Sequence, residues 1–193
     1  IVLQGLMKLR QLANHPVMTD ENYSGGSGKF DAVTHNIANV VAEGHRILIF
    51  SSFVKHLELF PGWLGKNGIG YTMLTGSTRE RGKVIGNFRN NDNIKVFLIS
   101  LKAGGIGLNL TEADYVFILD PWWNPASEIQ ALSRAHRIGQ EKRVFVYRYI
   151  SGNTIEEKIQ RLQERKSRLA DAFIEANNPL GDLDLNEMLE IFN

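Results

Sequence analysis

Two segments of this sequence carry residue types at spacings suited to phosphate chemistry. The first is Gly104-Gly105-Ile106-Gly107, which follows the apolar run VFLIS (Val96–Ser100). Glycines so close together let a backbone approach a ligand or turn with positive φ. Ligands of α/β sheets sit just past strand ends. A tight strand-to-helix turn with no ligand accounts for the same residues. No GxxxxGK[ST] loop occurs in the chain. Gly28-Lys29, Gly65-Lys66 and Gly82-Lys83 lack the rest of that pattern. The second segment is QALSRAHRIGQEKR (Gln130–Arg143). On a helix, Gln130, Arg134 and Arg137 share one face, four and then three residues apart. A guanidinium pair there suits phosphate, because each fork donates bidentate bonds and keeps its charge. A solvated basic face is the plainer reading of such a run. It is weakened because Arg134, Arg137, Lys142, Arg143 and Arg148 are set against Glu141 alone between Ile129 and Ile150. His136 has no partner at metal-ligand spacing and reads as a surface or packing residue.

A third cluster is Asp120-Pro121-Trp122-Trp123-Asn124-Pro125. One indole suits a core anchor. The other suits a ring pressed against nucleic acid.

The elements that must position these residues alternate. Apolar runs fit buried parallel strands at Arg46–Ser51, Tyr71–Leu74, Val96–Ser100, Tyr115–Asp120 and Val144–Ile150. Helical spacing is expected over Ile1–Ala13, Phe30–Val41, Val54–Lys66, Thr78–Asn90 and Pro125–Ile138, with a short piece after Gly104. Thr19–Gly28 is polar and Gly-rich, a loop. Thr154-Ile155-Glu156-Glu157 is a capping box opening a helix to about Ala176, with Ile155, Ile159, Leu162 and Leu169 on one face. The stretch beyond is acidic, with Asp182, Asp184, Glu187 and Glu190. Strand and helix alternation signals βαβ units.

Composition bounds the rest. The 193 residues suit one domain, at roughly 100–200 residues per domain. Cysteine is absent, which excludes disulfides, thiolate metal sites and a Cys nucleophile. A net charge of +1 excludes a globally basic nucleic-acid binder but allows a local basic face. No apolar run is long enough to span a membrane. The start at Ile1, with no initiator Met or signal layout, reads like a piece of a longer chain.

Together these segments resemble the second RecA-like lobe of the Swi/Snf family of DNA-stimulated ATPases, in helicase superfamily two. LRQLANHP (Leu9–Pro16) resembles the family's lead-in helix, and SGK (Ser27–Lys29) the step before its first helix. RILIFSSF (Arg46–Phe53) is similar to motif IV, and LTGSTRERGKVIGNF (Leu74–Phe88) to motif IVa. SLKAGGIGLNLTEAD (Ser100–Asp114) is similar to motif V, and QALSRAHRIGQ (Gln130–Gln140) to motif VI. TIEEKI (Thr154–Ile159) resembles the helix that packs back across the lobes. Ser133 departs from the pattern, since members more often carry an acidic residue there.

The resemblance implies an α/β, RecA-like domain with a central, mostly parallel sheet flanked by helices, plus a helical C-terminal extension. Residues 1–29 would be the lead-in helix and Gly-rich loop, 30–153 lobe two, and 154–193 the extension. ATP and Mg²⁺ would be held mainly by an N-terminal RecA-like lobe of the same protein. Arg134 and Arg137 would be arginine fingers, a device worth ~10³–10⁵ in rate. Gly105, Gly107, Asn109 and Gln130 would lie near the nucleotide. Lys102 and Trp123, with Ser52, Ser77 and Thr78, would face the backbone of double-stranded DNA. The whole enzyme would translocate on DNA and remodel DNA-bound protein, and this lobe alone would be inactive. A binding module without catalysis is the rival from another class. A strand-separating DEAD-box helicase is disfavoured by RAHRIGQ, where that type carries a GR-containing version. The short linkers suggest a prokaryotic cytoplasmic protein, with the nucleus as the alternative.

Overall fold

The computed structural model describes residues 2–104, 109–122 and 143–175. Helix α1 (Val2–Asn14) stops because Pro16 bars the α region at His15, whose backbone is extended, and a 3₁₀ turn (Pro16–Met18) follows. Helix α2 (Gly28–Ala42) starts where the Ser27 hydroxyl accepts the Phe30 N–H at 3.4 Å. It ends into Gly44, at φ 87°, a conformation that strains any residue with a Cβ.

Strand β1 (Ile47–Ser51) is followed by α3 (Val54–Leu57) and α4 (Phe60–Lys66). Next come β2 (Gly70–Leu74), α5 (Arg81–Asn90), β3 (Ile94–Ser100) and α6 (Leu101–Gly104). Strands β4 (Tyr115–Ile118) and β5 (Phe145–Arg148) precede the long helix α7 (Ile155–Glu175).

The five strands are ordered β2-β3-β1-β4-β5, and every pairing is parallel. Alternation within each strand builds two cores. Leu48, Phe50, Phe97, Ile99, Val116 and Ile118 meet Phe88 of α5 and Trp122 on one face. Ile47, Ile49, Val96, Leu98 and Phe117 meet Val33 and Ile37 of α2 and Phe60 and Leu64 of α4 on the other. The apolar runs of β1, β3 and β4 are continuous because helices cover both faces of the sheet there; β5, expected to be buried, is instead an exposed edge strand at Phe145, Val146 and Tyr147.

Three further expectations are corrected. The helix over Val54–Lys66 is two helices. Pro61 sits in the first turn of the second, and its missing N–H and ring end the ladder at Leu57, four residues earlier. The helix expected from Thr78 begins at Arg81, because Thr75, Ser77 and Thr78 form a hydrogen-bonded turn instead. A short helix, α6, ends at Gly104, and residues 105–108, where a short piece was expected, lie outside the described residues.

In α7 the packed face runs through Glu156, Ile159 and Gln163, three and four residues apart, and Leu162 lies off it, 46% exposed. The Thr154 hydroxyl accepts the Glu156 N–H at 3.2 Å. The Glu157 carboxylate reaches Asn153 N–H at 3.1 Å, one residue before the usual capping-box target. The expected helix over Pro125–Ile138 and the acidic stretch beyond Ala176 lie outside the described residues.

Candidate functional site

Parallel strands deliver their exits to one edge. Ser51 of β1 pairs with Ser100 of β3, Leu74 of β2 with Ile99 of β3, and Ile118 of β4 with Phe50 of β1. The exits of β2, β3, β1 and β4 therefore line a single rim, the place where α/β sheets bind ligands.

The rim carries several residues expected from the sequence. Ser52, half-buried after β1, has its N–H held by the Asp120 carboxylate at 3.1 and 3.2 Å. Ser77, exposed after β2, shares a 2.8 Å hydrogen bond with the Thr75 hydroxyl. The Thr78 hydroxyl accepts the Thr75 N–H at 3.0 Å, which leaves its own proton to donate. Lys102 is exposed on α6. That short helix is tied to α5 by the Arg81 guanidinium, which donates to the Ala103 carbonyl at 2.6 Å. Asn109 is half-buried beside the core residue Leu110, and its Oδ1 is buried with no partner among the described residues.

The structure thus places Ser52, Ser77, Thr78 and Lys102 on three adjacent strand exits. Gly105, Gly107, Trp123, Gln130, Arg134 and Arg137 lie outside the described residues.

Chemically the rim offers hydroxyl and ammonium donors, which suit a phosphate oxygen. The Asp120 carboxylate is consumed internally: it accepts from the Ser51 hydroxyl at 2.6 Å, the Ser52 N–H and the Arg10 guanidinium at 3.3 Å. Among the described residues no three metal-ligating side chains converge. These residues therefore fit phosphate and do not fit a Mg²⁺ site.

The sequence reading assigned no role to a buried ionic network just beneath the rim. Lys29, on the first turn of α2, donates to the Glu156 carboxylate of α7 at 2.5 Å. It also donates to the Asn14 Oδ1 of α1 at 3.1 Å and to the Leu119 carbonyl beyond β4 at 2.9 Å. Arg10 of α1 reaches Asp120 and the Pro121 carbonyl, the latter at 3.0 Å, and lies over the Phe53 ring. The four charged side chains are at most 5% exposed, and their charges cancel.

Burial lowers the Lys29 pKa and raises that of Glu156, each opposed by the attraction of the other. The signals for this network were Lys29 in SGK and Asp120 in DPWWNP. Neither names its partner.

The family model described as helicase conserved C-terminal domain matches residues 28–139, more than half of the chain. The chain belongs to that family. Within it this helicase C-terminal lobe is of the Swi/Snf kind. It is 44% identical over 176 residues to the fission-yeast "Uncharacterized ATP-dependent helicase C23E6.02", covering 89% of the chain and 16% of the relative. It is 38% identical to the mouse "SWI/SNF-related matrix-associated actin-dependent regulator of chromatin subfamily A member 1", covering 97% of the chain and 19% of the relative.

Among solved structures, the crystal structure of the C-terminal part of the Fun30 ATPase domain superposes with a TM-score of 0.68 at 34% identity. That match covers 81% of this lobe and 54% of the other chain. The fold is accordingly RecA-like. The lobe spans under a fifth of the curated relatives' length.

One expectation is overturned. The relatives include eukaryotic chromatin and DNA-repair proteins, against the expected prokaryotic cytoplasmic origin. Short linkers, on which that expectation stood, describe this segment's geometry and carry no information about compartment.

Proposed function

We propose that this chain is the second motor lobe of an ATP-dependent enzyme that moves on double-stranded DNA and remodels protein–DNA complexes, in the nucleus. Residues 30–153 would form the lobe proper, with 1–29 leading in and 154–193 extending from it. One observation carries the reading. Donor side chains occupy adjacent strand exits of a parallel sheet, in a chain that matches helicase C-terminal domains over residues 28–139.

On this reading Lys102, Ser52, Ser77, Thr78 and Trp123 contact the DNA backbone, holding the duplex without reading its sequence. Gly105, Gly107, Asn109 and Gln130 border the nucleotide. Arg134 and Arg137 stabilise charge on the transferring phosphoryl group when the lobes close. The nucleotide and its Mg²⁺ rest mainly on the other lobe.

The test uses the full-length enzyme. Arg134→Ala and Arg137→Ala should each lower kcat by ~10²-fold or more, with DNA affinity nearly kept. Lost DNA affinity with intact turnover at saturating DNA would instead assign these arginines to a DNA-attracting basic face.

A further inference from the structure

The segment leaving β4 is held at every residue from Leu119 to Trp122. The Leu119 carbonyl accepts from Lys29 at 2.9 Å. The Asp120 carboxylate accepts from Arg10, Ser51 and Ser52. The Pro121 carbonyl accepts from Arg10 at 3.0 Å, and the Trp122 carbonyl from the Gln163 side-chain amide of α7. The Trp122 ring is 2% exposed and packs edge-on against Phe50 of β1.

Apart from Ser51 and Ser52, the donors come from helices flanking the sheet: Arg10 from α1, Lys29 from α2 and Gln163 from α7. Lys29 is the hub. Its three N–H groups are spent on three elements: Asn14 of α1, the strand exit and Glu156 of α7.

We infer that Lys29, Arg10 and Gln163 are positioning residues that lock the Leu119–Trp122 exit to α1 and α7. The chain continues from this exit into Trp123 and then Gln130, Arg134 and Arg137. A shift of α1 or α7 against the sheet is thereby carried to the attachment point of Trp123, the next residue in the chain and the proposed DNA-facing ring. The inference rests on the proposed roles of those residues.

The decisive measurement is steady-state ATPase of the full-length enzyme, with and without saturating duplex DNA, on Gln163→Leu and Gln163→Lys. Gln163 is only partly buried, and neither change strands a buried charge. Gln163→Leu keeps the shape but loses the donor. It should leave the melting temperature, the KM for ATP and the DNA-free rate near wild type, while DNA-stimulated kcat falls about 5–10-fold, the effect of one lost hydrogen bond on a two-state position. Gln163→Lys restores a donor and should recover most of that loss. The double variant Lys29→Met/Glu156→Leu, which removes the hub without stranding a charge, should show the same split between the DNA-free and the stimulated rate.

Stimulated kcat within twofold of wild type for a folded Gln163→Leu enzyme overturns the inference. So does an equal fall in the DNA-free and stimulated rates. Arg134→Ala, run alongside, separates the two levels. Normal turnover there rejects the underlying functional reading. Collapse there with normal Gln163→Leu rejects the positioning role alone.

Discussion

Lys29→Met isolates the buried ion pair. It leaves the Glu156 carboxylate fully buried, with only the Ser151 N–H at 2.9 Å still bonded to it among the described residues. Removing one partner of a buried pair costs about 3–5 kcal/mol, because the other charge stays desolvated. With a urea slope of about 2 kcal/mol per molar, the unfolding midpoint should fall by about 2 M near neutral pH.

The loss must depend on pH in one direction. Burial already raises the Glu156 pKa in the folded chain, and deleting Lys29 removes the main opposing attraction. The folded carboxyl then titrates above its unfolded value of about 4.3. Destabilisation is therefore small below that pH and grows by up to about 1.4 kcal/mol per unit until the folded group ionises.

Lys29→Met/Glu156→Leu removes both charges and leaves the Leu119 carbonyl, the Asn14 Oδ1 and the Ser151 N–H without these partners, at about 1 kcal/mol each. It should lie within about 3 kcal/mol of wild type, with no pH-dependent excess. Urea titrations of all three proteins between about pH 4.5 and 8 provide the assay. A single variant as stable as wild type at the upper pH, or no more pH-dependent than the double, refutes the reasoning.

Two further outcomes are expected. His56 is fully buried against Phe60, with neither ring nitrogen partnered among the described residues, and burial lowers its pKa to about 3. A histidine held neutral stabilises the fold above its unfolded pKa of about 6.5 and loses that contribution as pH falls, by about 2 kcal/mol at pH 5. Urea midpoints of His56→Leu should lack that part of the acid slope, and slopes matching wild type would contradict it. Lys102→Ala in the full-length enzyme should weaken DNA binding about equally on all sequences and lower the salt slope by roughly one, as read from binding isotherms at several salt concentrations.

The sequence by itself determined the strands and the chemistry of the rim. The stretches ILIF (Ile47–Phe50) and VFLI (Val96–Ile99) are apolar at every position, and only a sheet covered on both faces buries such runs, so parallel topology followed. Local stereochemistry was legible for the same reason: His15-Pro16 ends a helix and Ser27 caps one, through contacts within a few residues. Pro61 carried the signal that splits Val54–Lys66, outweighed there by apolar spacing. The type and order of Lys102, Ser52, Ser77 and Thr78 also needed no coordinates.

The tertiary structure decided which distant groups meet. Lys29 and Glu156 are 127 positions apart, and Arg10 and Asp120 are 110. Helical and strand periodicities report neighbours within one element and carry nothing about such pairs. Each side chain alone reads as an ordinary surface charge on a helix or at a strand end. Only the parallel sheet, which brings every strand exit to one rim and seats α1 and α7 against it, buries these four charges together. The cost of leaving any of them unpaired makes that arrangement specific.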